Sequence, residues 1–593
     1  MLSRSISSVW LCLLLNIQVF AQNNDYVWWN PQSATFPVVE GQGWPKELKN
    51  PYDRLPARAE KQVRDVVWNL STQSAGLMIR FRANSSEIKI RYAVGGKHAL
   101  PHMPATGVSG VDLYAVSNDG EWRWCAGKYA FGDTITYDFK NLSPNDDYHK
   151  HGREYRLFLP LYNNVKWLEI GTPAGTEFAP LAVRPDKPIV IYGTSIAQGA
   201  CASRPGMAWT SILSRKMDRP LINLGFSGNG RLEKEVVDLL GEIDAKIYVL
   251  DCLPNLTIRP DSKLALTTDE IKKRVVSTVT ALRQKRPEIP IVLAEHAGYT
   301  DEAINPQSKH FYVEVNEVLK DAFAALKSQG ISNIYLIPKE DFGQTYESTV
   351  DGTHPTDLGM LQVADGYEKH LRKIQYEPVG EVSTTRPVSQ MRELHNYDWE
   401  KRHSEVLELN RKTSPATVVI GNSITHFWGG LPKGPRATGE SSWTSTFGKN
   451  AVNMGYGWDR IENVLWRIYH GELDGFAPKQ IFVNIGTNNL GFNSDEEIVA
   501  GWKLLIEAMK SRQPKAQIVM MGIYPRRQQE HRVAALNDKL LQITSEADVT
   551  FLNPGKVFLK PDGKIDEALF SDGLHPNDKG YSLLGNAIKP YVK

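Results

Sequence analysis

The chain is poor in cysteine. Four cysteines occur in 593 residues, and one of them, Cys12, lies in the apolar stretch at the N-terminus. The other three are odd in number and too few for a disulfide framework. Cys201 and Cys252 each lie near the end of a predicted strand of one sheet. They are therefore either close enough to pair in an oxidising compartment or buried as two separate thiols, and the sequence leaves this open.

The motifs of several enzyme classes are also missing. The chain has no CxxC pair, HExxH helix, P-loop or GxSxG elbow. The sequence therefore gives no support to a zinc protease, a nucleotide-binding enzyme or a classical α/β-hydrolase. His149 and His151 have no cysteine or carboxylate at ligand spacing, so we expect a solvated loop there. No metal and no cofactor are expected.

Neither sign of charge dominates. The 69 Lys and Arg residues balance 67 Asp and Glu residues to a net charge of +2. No basic run alternates with aromatic residues, so a nucleic acid or an anionic membrane surface is not an expected partner. The composition is that of a globular protein, and the length predicts three or four domains. The oligomeric state cannot be read from the sequence.

Long apolar runs are scarce. The run from Val9 to Phe20 follows Arg4 and ends at Ala21, which is typical of a signal peptide cleaved after Ala21. It is too short to span a bilayer comfortably, and no other segment approaches the length of a transmembrane helix. We therefore expect a cleaved signal peptide over residues 1–21 and a secreted or periplasmic protein.

The remaining chain divides by its periodicity. Residues 22–186 show short alternating stretches bounded by Gly, Pro, Asn or Ser, which predict an antiparallel β-sandwich, jelly-roll-like in type. In residues 187–376, apolar strand-like runs alternate with helical stretches, which predicts a parallel sheet in an α/β domain. Residues 377–394 indicate a linker, and the α/β alternation returns in residues 395–593.

The two α/β segments form an internal repeat. Three blocks recur in the same order: Gly193-Thr194-Ser195-Ile196 matches Gly421-Asn422-Ser423-Ile424, Asn223-Leu224-Gly225 matches Asn453-Met454-Gly455, and Asp351-Gly352-Thr353-His354-Pro355 matches Asp572-Gly573-Leu574-His575-Pro576. A single such block is usually an ordinary turn or helix cap. The same polar residues in the same order, twice, favour catalysis.

These blocks supply the groups of a serine hydrolase. Ser195 and Ser423 follow buried strands, so their hydroxyls are predicted at the rim of the sheet, where ligands bind in open α/β folds. A serine needs a base, and His354 and His575 can accept its proton. Asp351 and Asp572, three residues before each histidine, can orient the ring and stabilise the imidazolium.

An oxyanion needs hydrogen-bond donors aimed at its developing charge. The glycine-rich turn at Gly228 offers backbone N–H groups, and the matching position of the second copy is Trp458. Any residue except proline keeps that donor, but an indole would shape or close the pocket. Asn255 and Asn488 each follow a buried strand and can donate a side-chain amide.

With these residues the chain resembles the SGNH (GDSL) hydrolase superfamily, whose blocks carry Ser, Gly, Asn and Asp-x-x-His. The second copy has Gly486-Thr487-Asn488-Asn489 where that family has Gly-x-Asn-Asp, and both copies replace the Asp of Gly-Asp-Ser. Gly110-Val111-Asp112-Leu113-Tyr114 is similar to the GxDLY module that precedes some SGNH esterases. The resemblance therefore implies two tandem three-layer α/β/α esterase domains behind a β-rich module.

The resemblance further implies metal-free ester hydrolysis, often deacetylation of glycans, with an acylated carbohydrate as the substrate. Two alternatives stay open. The chain could be a lipase or thioesterase acting on longer acyl chains, or one copy could only bind glycan while the other carries the catalysis. The sequence identifies neither the glycan nor the acyl position.

Overall fold

The computed structural model describes residues 25–117, 120–145, 149, 151–260, 262–390 and 396–593. The predicted signal peptide lies outside these residues. Within them, no helix combines the length and the apolar character needed to cross a membrane.

Residues 25–186 form two antiparallel sheets, as the alternating pattern predicts. One sheet has the order β1-β10-β4-β8-β7 and the other β11-β3-β9-β5-β6, with β2 beside β3. The strands are β1 (Tyr26–Trp29), β2 (Val39–Glu40), β3 (Met78–Asn84), β4 (Ile88–Val94), β5 (Asp112–Val116), β6 (Trp122–Cys125), β7 (Lys128–Ala130), β8 (Ile135–Phe139), β9 (Arg153–Phe158), β10 (Val165–Pro173) and β11 (Glu177–Pro180). In β4, Ile88, Ile90 and Tyr92 are buried between the sheets, because alternate side chains point to the same face.

One part of the sandwich segment packs differently. Between β2 and β3 the chain forms the helix α1 (Asp65–Ser71), and a second short helix, α2 (Ala105–Val108), precedes β5. Trp44, Leu55 and Val67 belong to the core of the following α/β domain rather than to the sandwich. The predicted sandwich segment therefore also supplies part of the first α/β core.

The GxDLY stretch attaches this module to the first α/β domain. Asp112 is buried, and its carboxylate accepts hydrogen bonds from the Gly206 backbone amide at 2.9 Å and from the Trp124 indole at 2.6 Å. Arg204 pairs with the same carboxylate, and its guanidinium donates to the Tyr114 hydroxyl at 2.7 Å. The motif thus holds a loop that follows the first candidate nucleophile.

The first α/β domain has a five-stranded parallel sheet in the order β13-β12-β14-β15-β16. Its elements are β12 (Ile189–Gly193), α3 (Ser195–Gln198), α4 (Trp209–Met217), β13 (Leu221–Gly225), α5 (Lys234–Leu240), β14 (Ile247–Asp251), α6 (Thr268–Lys285), β15 (Ile291–Ala294), α7 (Pro306–Ser328), β16 (Ile334–Ile337) and α8 (Asp357–Gln375). Helices α5, α6 and α7 cover one face, and α4 and α8 cover the other.

The second α/β domain repeats this topology as β18-β17-β19-β20-β21. Its elements are α9 (Trp399–Thr413), β17 (Thr417–Gly421), α10 (Ser423–His426), α11 (Glu440–Phe447), β18 (Val452–Gly455), α12 (Ile461–Arg467), β19 (Gln480–Asn484), α13 (Asp495–Arg512), β20 (Gln517–Met521), α14 (Glu530–Glu546), β21 (Thr550–Leu552) and α15 (Asp578–Ile588). The prediction of two α/β domains from the sequence repeat is confirmed.

Parts of the predicted linker pack against both α/β domains. Glu377 is 2% exposed and pairs with Arg219 at 3.2 Å and Arg512 at 2.8 Å. The Thr384 hydroxyl donates to the Glu497 carbonyl at 2.5 Å. Because these partners lie in both domains, the segment is part of their shared interface.

All three units meet at Asp218. Its carboxylate accepts hydrogen bonds from Arg156 of the sandwich at 2.7 Å and from Arg184 at 2.9 Å. It also accepts one from the Trp466 indole of the second α/β domain at 2.9 Å. The His470 ring also contacts the Asp218 carbonyl at 3.0 Å. A single residue of the first α/β domain thus connects the sandwich to the second α/β domain.

The two buried thiols are separate. Cys201, Cys252 and Cys125 are all free in the described structure. Cys252 lies in the core on one face of the first parallel sheet and Cys201 in the core on the other. Since the sheet separates them, the alternative in which they pair is wrong.

Candidate active sites

Both candidate nucleophiles begin a short helix at the end of the first strand of their sheet. Ser195 follows β12 and Ser423 follows β17, and each is 7% exposed. Thr194 and Asn422 cap these helices by accepting the amides of the residues after the serines, at 3.3 and 2.9 Å. The residues that replace the family's aspartate therefore act as N-caps.

A repeated asparagine anchors each nucleophile helix. The Asn223 side chain donates to the Ala197 carbonyl at 2.7 Å and accepts the Gly225 amide at 2.8 Å. Asn453 makes the corresponding bonds to the Thr425 carbonyl and the Gly455 amide at the same distances. The sequence repeat contained these asparagines, but their position one strand away from the serine gave no signal of this role.

The predicted serine, histidine and aspartate come together in both domains. In the first, Ser195 Oγ lies 2.9 Å from His354 Nε2, and His354 Nδ1 lies 2.7 Å from Asp351 Oδ2. In the second, Ser423 Oγ lies 2.9 Å from His575 Nε2, and His575 Nδ1 lies 2.7 Å from the Asp572 carboxylate. In each domain the histidine therefore lies between the serine, whose proton it can accept, and the aspartate, which can orient its ring.

The aspartates are held in their ionised form. Partial burial acts to raise the pKa of Asp351, but hydrogen bonds from the backbone amide and the ring of His354 outweigh it. The pKa of Asp351 therefore lies below its usual value, and the same balance with His575 lowers the pKa of Asp572. An ionised carboxylate at Nδ1 keeps that nitrogen protonated and leaves Nε2 free to accept the serine proton.

The residues at the two predicted oxyanion turns both have a positive φ. Gly228 has a φ of +69° and Trp458 a φ of +63°. A tryptophan in the left-handed region is uncommon, because its Cβ crowds the backbone there. The second domain nevertheless keeps this conformation with a half-exposed indole at the position where the first has glycine.

The strand register equates the two predicted asparagines. Gly193 lies opposite Asp251, and Gly421 lies opposite Asn484. Asn255 and Asn488 each come four residues after those partners. The strand register therefore agrees with the match by position that the sequence offered for the first copy.

These asparagines are oriented differently. Asn255 Oδ1 accepts the Gly230 amide at 3.1 Å, which leaves its NH₂ group for a substrate. Asn488 Nδ2 donates to the Asp459 carbonyl at 3.0 Å and keeps one further N–H. Each amide retains at least one donor, as oxyanion stabilisation requires.

The neighbours of the two histidines also differ. The ring of His102, from the N-terminal module, lies 5.7 Å from the His354 ring. In the second domain the neighbouring ring is Phe427, 5.3 Å from His575. The Tyr162 hydroxyl, also from the module, donates to the Ser195 carbonyl at 3.1 Å. Sequence reasoning missed both module residues, since no local pattern connects them to the serine.

Comparison with known proteins agrees with this architecture. Models of the GDSL-like lipase/acylhydrolase family match residues 186–372 and 419–583, and a model of the N-terminus of SGNH-hydrolase-type esterases, GxDLY, matches residues 26–178. A protein from Bacteroides ovatus described as a GDSL-like lipase is 32% identical, with a TM-score of 0.54, and covers 59% of this chain and 98% of its own. The chain belongs to the GDSL-like lipase/acylhydrolase family.

Within this family, two mammalian relatives match a single stretch of the chain. Platelet-activating factor acetylhydrolase IB subunit alpha1 of Bos taurus is 28% identical over 196 residues, which are 32% of this chain and 80% of the relative. The alpha2 subunit of Homo sapiens is 28% identical over 192 residues, which are 31% and 80%. The resemblance inferred from the sequence blocks and from the GxDLY stretch is confirmed.

Proposed function

We propose that this GDSL-family chain is an exported serine esterase with two catalytic sites, which removes acetyl or other small acyl groups from carbohydrate. The observation that carries the proposal is that a serine, a histidine and an aspartate are hydrogen-bonded in series in each α/β domain. These residues are Ser195, His354 and Asp351 in the first domain and Ser423, His575 and Asp572 in the second. Two sites with the same distances favour hydrolysis in both domains.

The reaction follows from this geometry. The serine oxygen attacks the ester carbonyl carbon while histidine Nε2 takes its proton, and the carbonyl oxygen becomes an oxyanion. The amide at Gly228 or Trp458 and the side chain of Asn255 or Asn488 donate to that oxyanion. Histidine then returns the proton to the leaving alcohol, and an acyl-enzyme remains. Water, deprotonated by the same histidine, releases the acid and restores the serine.

The small acyl group is supported by the relatives. Two of them are named as acetylhydrolases, which favours acetyl or a similarly small acyl group. The carbohydrate carrier is what the resemblance to SGNH esterases implies.

A second candidate function is hydrolysis of longer acyl esters. The Bacteroides ovatus relative is described as a lipase, and a lipase would prefer longer acyl chains. Measuring rates on p-nitrophenyl esters from acetate to palmitate separates the two. We expect the rate to fall steeply beyond butyrate, and a maximum at eight or more carbons would favour the lipase.

The test of the proposal is acetate release from acetylated polysaccharides by the purified full-length chain. The matched control is the double variant Ser195→Ala/Ser423→Ala, which keeps the fold and lacks both hydroxyls. We expect release by the parent and none by the control. Equal release by both, or no release by the parent from any acetylated polysaccharide, would refute the proposal.

Export is the second part of the proposal. The run from Val9 to Phe20 supports cleavage after Ala21. N-terminal sequencing of protein exported by its natural host should find Gln22 first, and exported protein that retains Met1 would contradict it.

A further inference from the structure

Three metal-ligating side chains meet beside the first candidate nucleophile. His102, Cys201 and His354 each offer one ligand atom, and these atoms all lie within 4.8 Å of one another. They come from a turn of the N-terminal module, from the loop after the nucleophile helix and from the Asp-x-x-His turn. No local sequence spacing links them, so only the fold brings them together.

The donor set fits a borderline-soft divalent cation. Two imidazole nitrogens and one thiolate sulfur are ligands of Zn²⁺, whereas Mg²⁺ and Ca²⁺ require oxygen. On a tetrahedral zinc ion the ligand atoms lie about 3.4–3.6 Å apart, since Zn–N is about 2.1 Å and Zn–S about 2.3 Å. His102 is exposed and can move closer to the other two ligands by rotating its side chain.

Cys201 binds such an ion as a thiolate. The residue is 6% exposed, and when the ion binds, the thiol proton is released to the solvent.

We propose that His102, Cys201 and His354 form an inhibitory zinc site that closes the first active site and spares the second. The proposal rests on the proposed function of Ser195 and His354. Because His354 Nδ1 is bonded to Asp351, Nε2 is the nitrogen that remains for the ion, and Nε2 is the atom that contacts Ser195. An ion there occupies the lone pair that would accept the serine proton.

In the part of the second domain that the structure describes, no such set of three ligands lies beside His575. Gly429 stands six residues after Ser423, where Cys201 stands after Ser195. The ring beside His575 is Phe427, which has no ligand atom. Among the described residues, the cluster at His354 is the one group of three that could hold a metal. The second site is therefore an internal control for the first.

The activity test uses tag-free, full-length protein in buffer without thiols or chelators. The first site is measured in Ser423→Ala and the second in Ser195→Ala, each with added ZnCl₂. We expect micromolar Zn²⁺ to reduce the first activity at least tenfold and to leave the second within twofold. EDTA should restore the first activity. Equal inhibition of both sites would overturn the proposal.

Ligand variants sharpen this test. Cys201→Ser and His102→Gln, each in the Ser423→Ala background, should raise the half-inhibitory Zn²⁺ concentration at least tenfold relative to the basal rate of the same variant. His98→Gln is the matched control, because His98 lies on the same module segment and packs on Phe131 instead. Unchanged sensitivity of both ligand variants would contradict the site.

A readout without activity separates this proposal from the proposed function. Co²⁺ added to the parent chain should give a thiolate-to-cobalt absorption band and visible bands of tetrahedral Co²⁺. Both should be absent in Cys201→Ser and present in Cys125→Ser. If the bands form while neither site hydrolyses esters, the proposed function fails and the metal site stands. Absence of the bands in the parent would overturn the metal site.

Discussion

The two α/β domains bring serine, histidine and aspartate together at the same distances but in different surroundings. Both place the serine oxygen 2.9 Å from histidine and the histidine 2.7 Å from aspartate. Around that geometry, the first site has Gly228 and the N-terminal module, and the second has Trp458 and Phe427. The comparison teaches that strand order and capped helix starts fix the triad, while loops and a neighbouring module set what can approach it.

The support behind each serine shows the same division. Asn223 and Asn453 make the same two anchoring hydrogen bonds, at 2.7 and 2.8 Å. By contrast, the first nucleophile helix also touches the module, since Gln198 donates to Gln73 at 2.5 Å. Replacing Asn223 should therefore harm the first site as much as replacing Asn453 harms the second, whereas we expect changes at Gln73 of the module to affect the first site alone.

The largest expected effect comes from the aspartates. Asp351→Asn and Asp572→Asn remove the carboxylate that holds the histidine tautomer, so we expect kcat at the affected site to fall by about 10²–10⁴-fold. Each variant is assayed with the serine of the other domain changed to alanine. Losses that differ by more than tenfold between the two sites would break the claim that the triads are equivalent.

The oxyanion asparagines should have the next largest effect. Asn255→Ala and Asn488→Ala each remove one donor, and we expect kcat to fall by about 10²–10³-fold with little change in KM. Asn255→Asp and Asn488→Asp should be no better, because a carboxylate donates no hydrogen bond. If either alanine variant keeps full kcat, that asparagine is not an oxyanion donor.

The interface between the domains should matter for stability rather than for chemistry. Glu377→Gln leaves the buried Arg219 without its carboxylate, and we expect the free energy of unfolding to fall by about 3 kcal/mol. Calorimetry of the full-length chain measures this, and the matched control is Glu408→Gln, whose partner Lys412 is exposed. An equal change in both variants would show that the buried pair does not hold the domains together.

The smallest expected effect concerns specificity. Trp458→Gly and Gly228→Trp exchange the residues at the two oxyanion turns, and a Cβ at Gly228 meets no atom within 4 Å. We expect each exchange to shift the ratio of kcat/KM between a small and a bulky ester by about 5–30-fold, in opposite directions, which is about 1–2 kcal/mol. No shift in either variant would mean that this position does not shape the pocket.

Much of this could be predicted from the sequence, because the information is local. Strand and helix periodicity gave the sandwich and the two α/β layers, and the repeated blocks gave the serines, histidines and aspartates that the structure brings together. The family's Gly-x-Asn-Asp pattern could not be recognised in the first copy, which has Asp251-Cys252-Leu253-Pro254-Asn255. A short helical turn nevertheless follows the strand in both copies and contains Asn255 in the first and Asn488 in the second.

The rest depends on pairs that are distant in sequence. Nothing local marks Asp218 as the partner of Arg156, Arg184 and Trp466, and a stretch with proline and threonine indicates a linker whether it is exposed or buried. The contribution of His102 to the first site is of the same kind. These contacts depend on how the sandwich and the two α/β domains pack together, and the hydrophobic periodicity of the sequence carries no information about that packing.

The central claim is that both domains catalyse, each with its own residues. Its most direct test measures Ser195→Ala, Ser423→Ala and the double variant on one broad panel of esters. We expect each single variant to lose several orders of magnitude on part of the panel and to keep the rest, and the double variant to be inactive throughout. If one single variant already matches the double variant on every ester, the other domain is not a catalyst and the account is wrong.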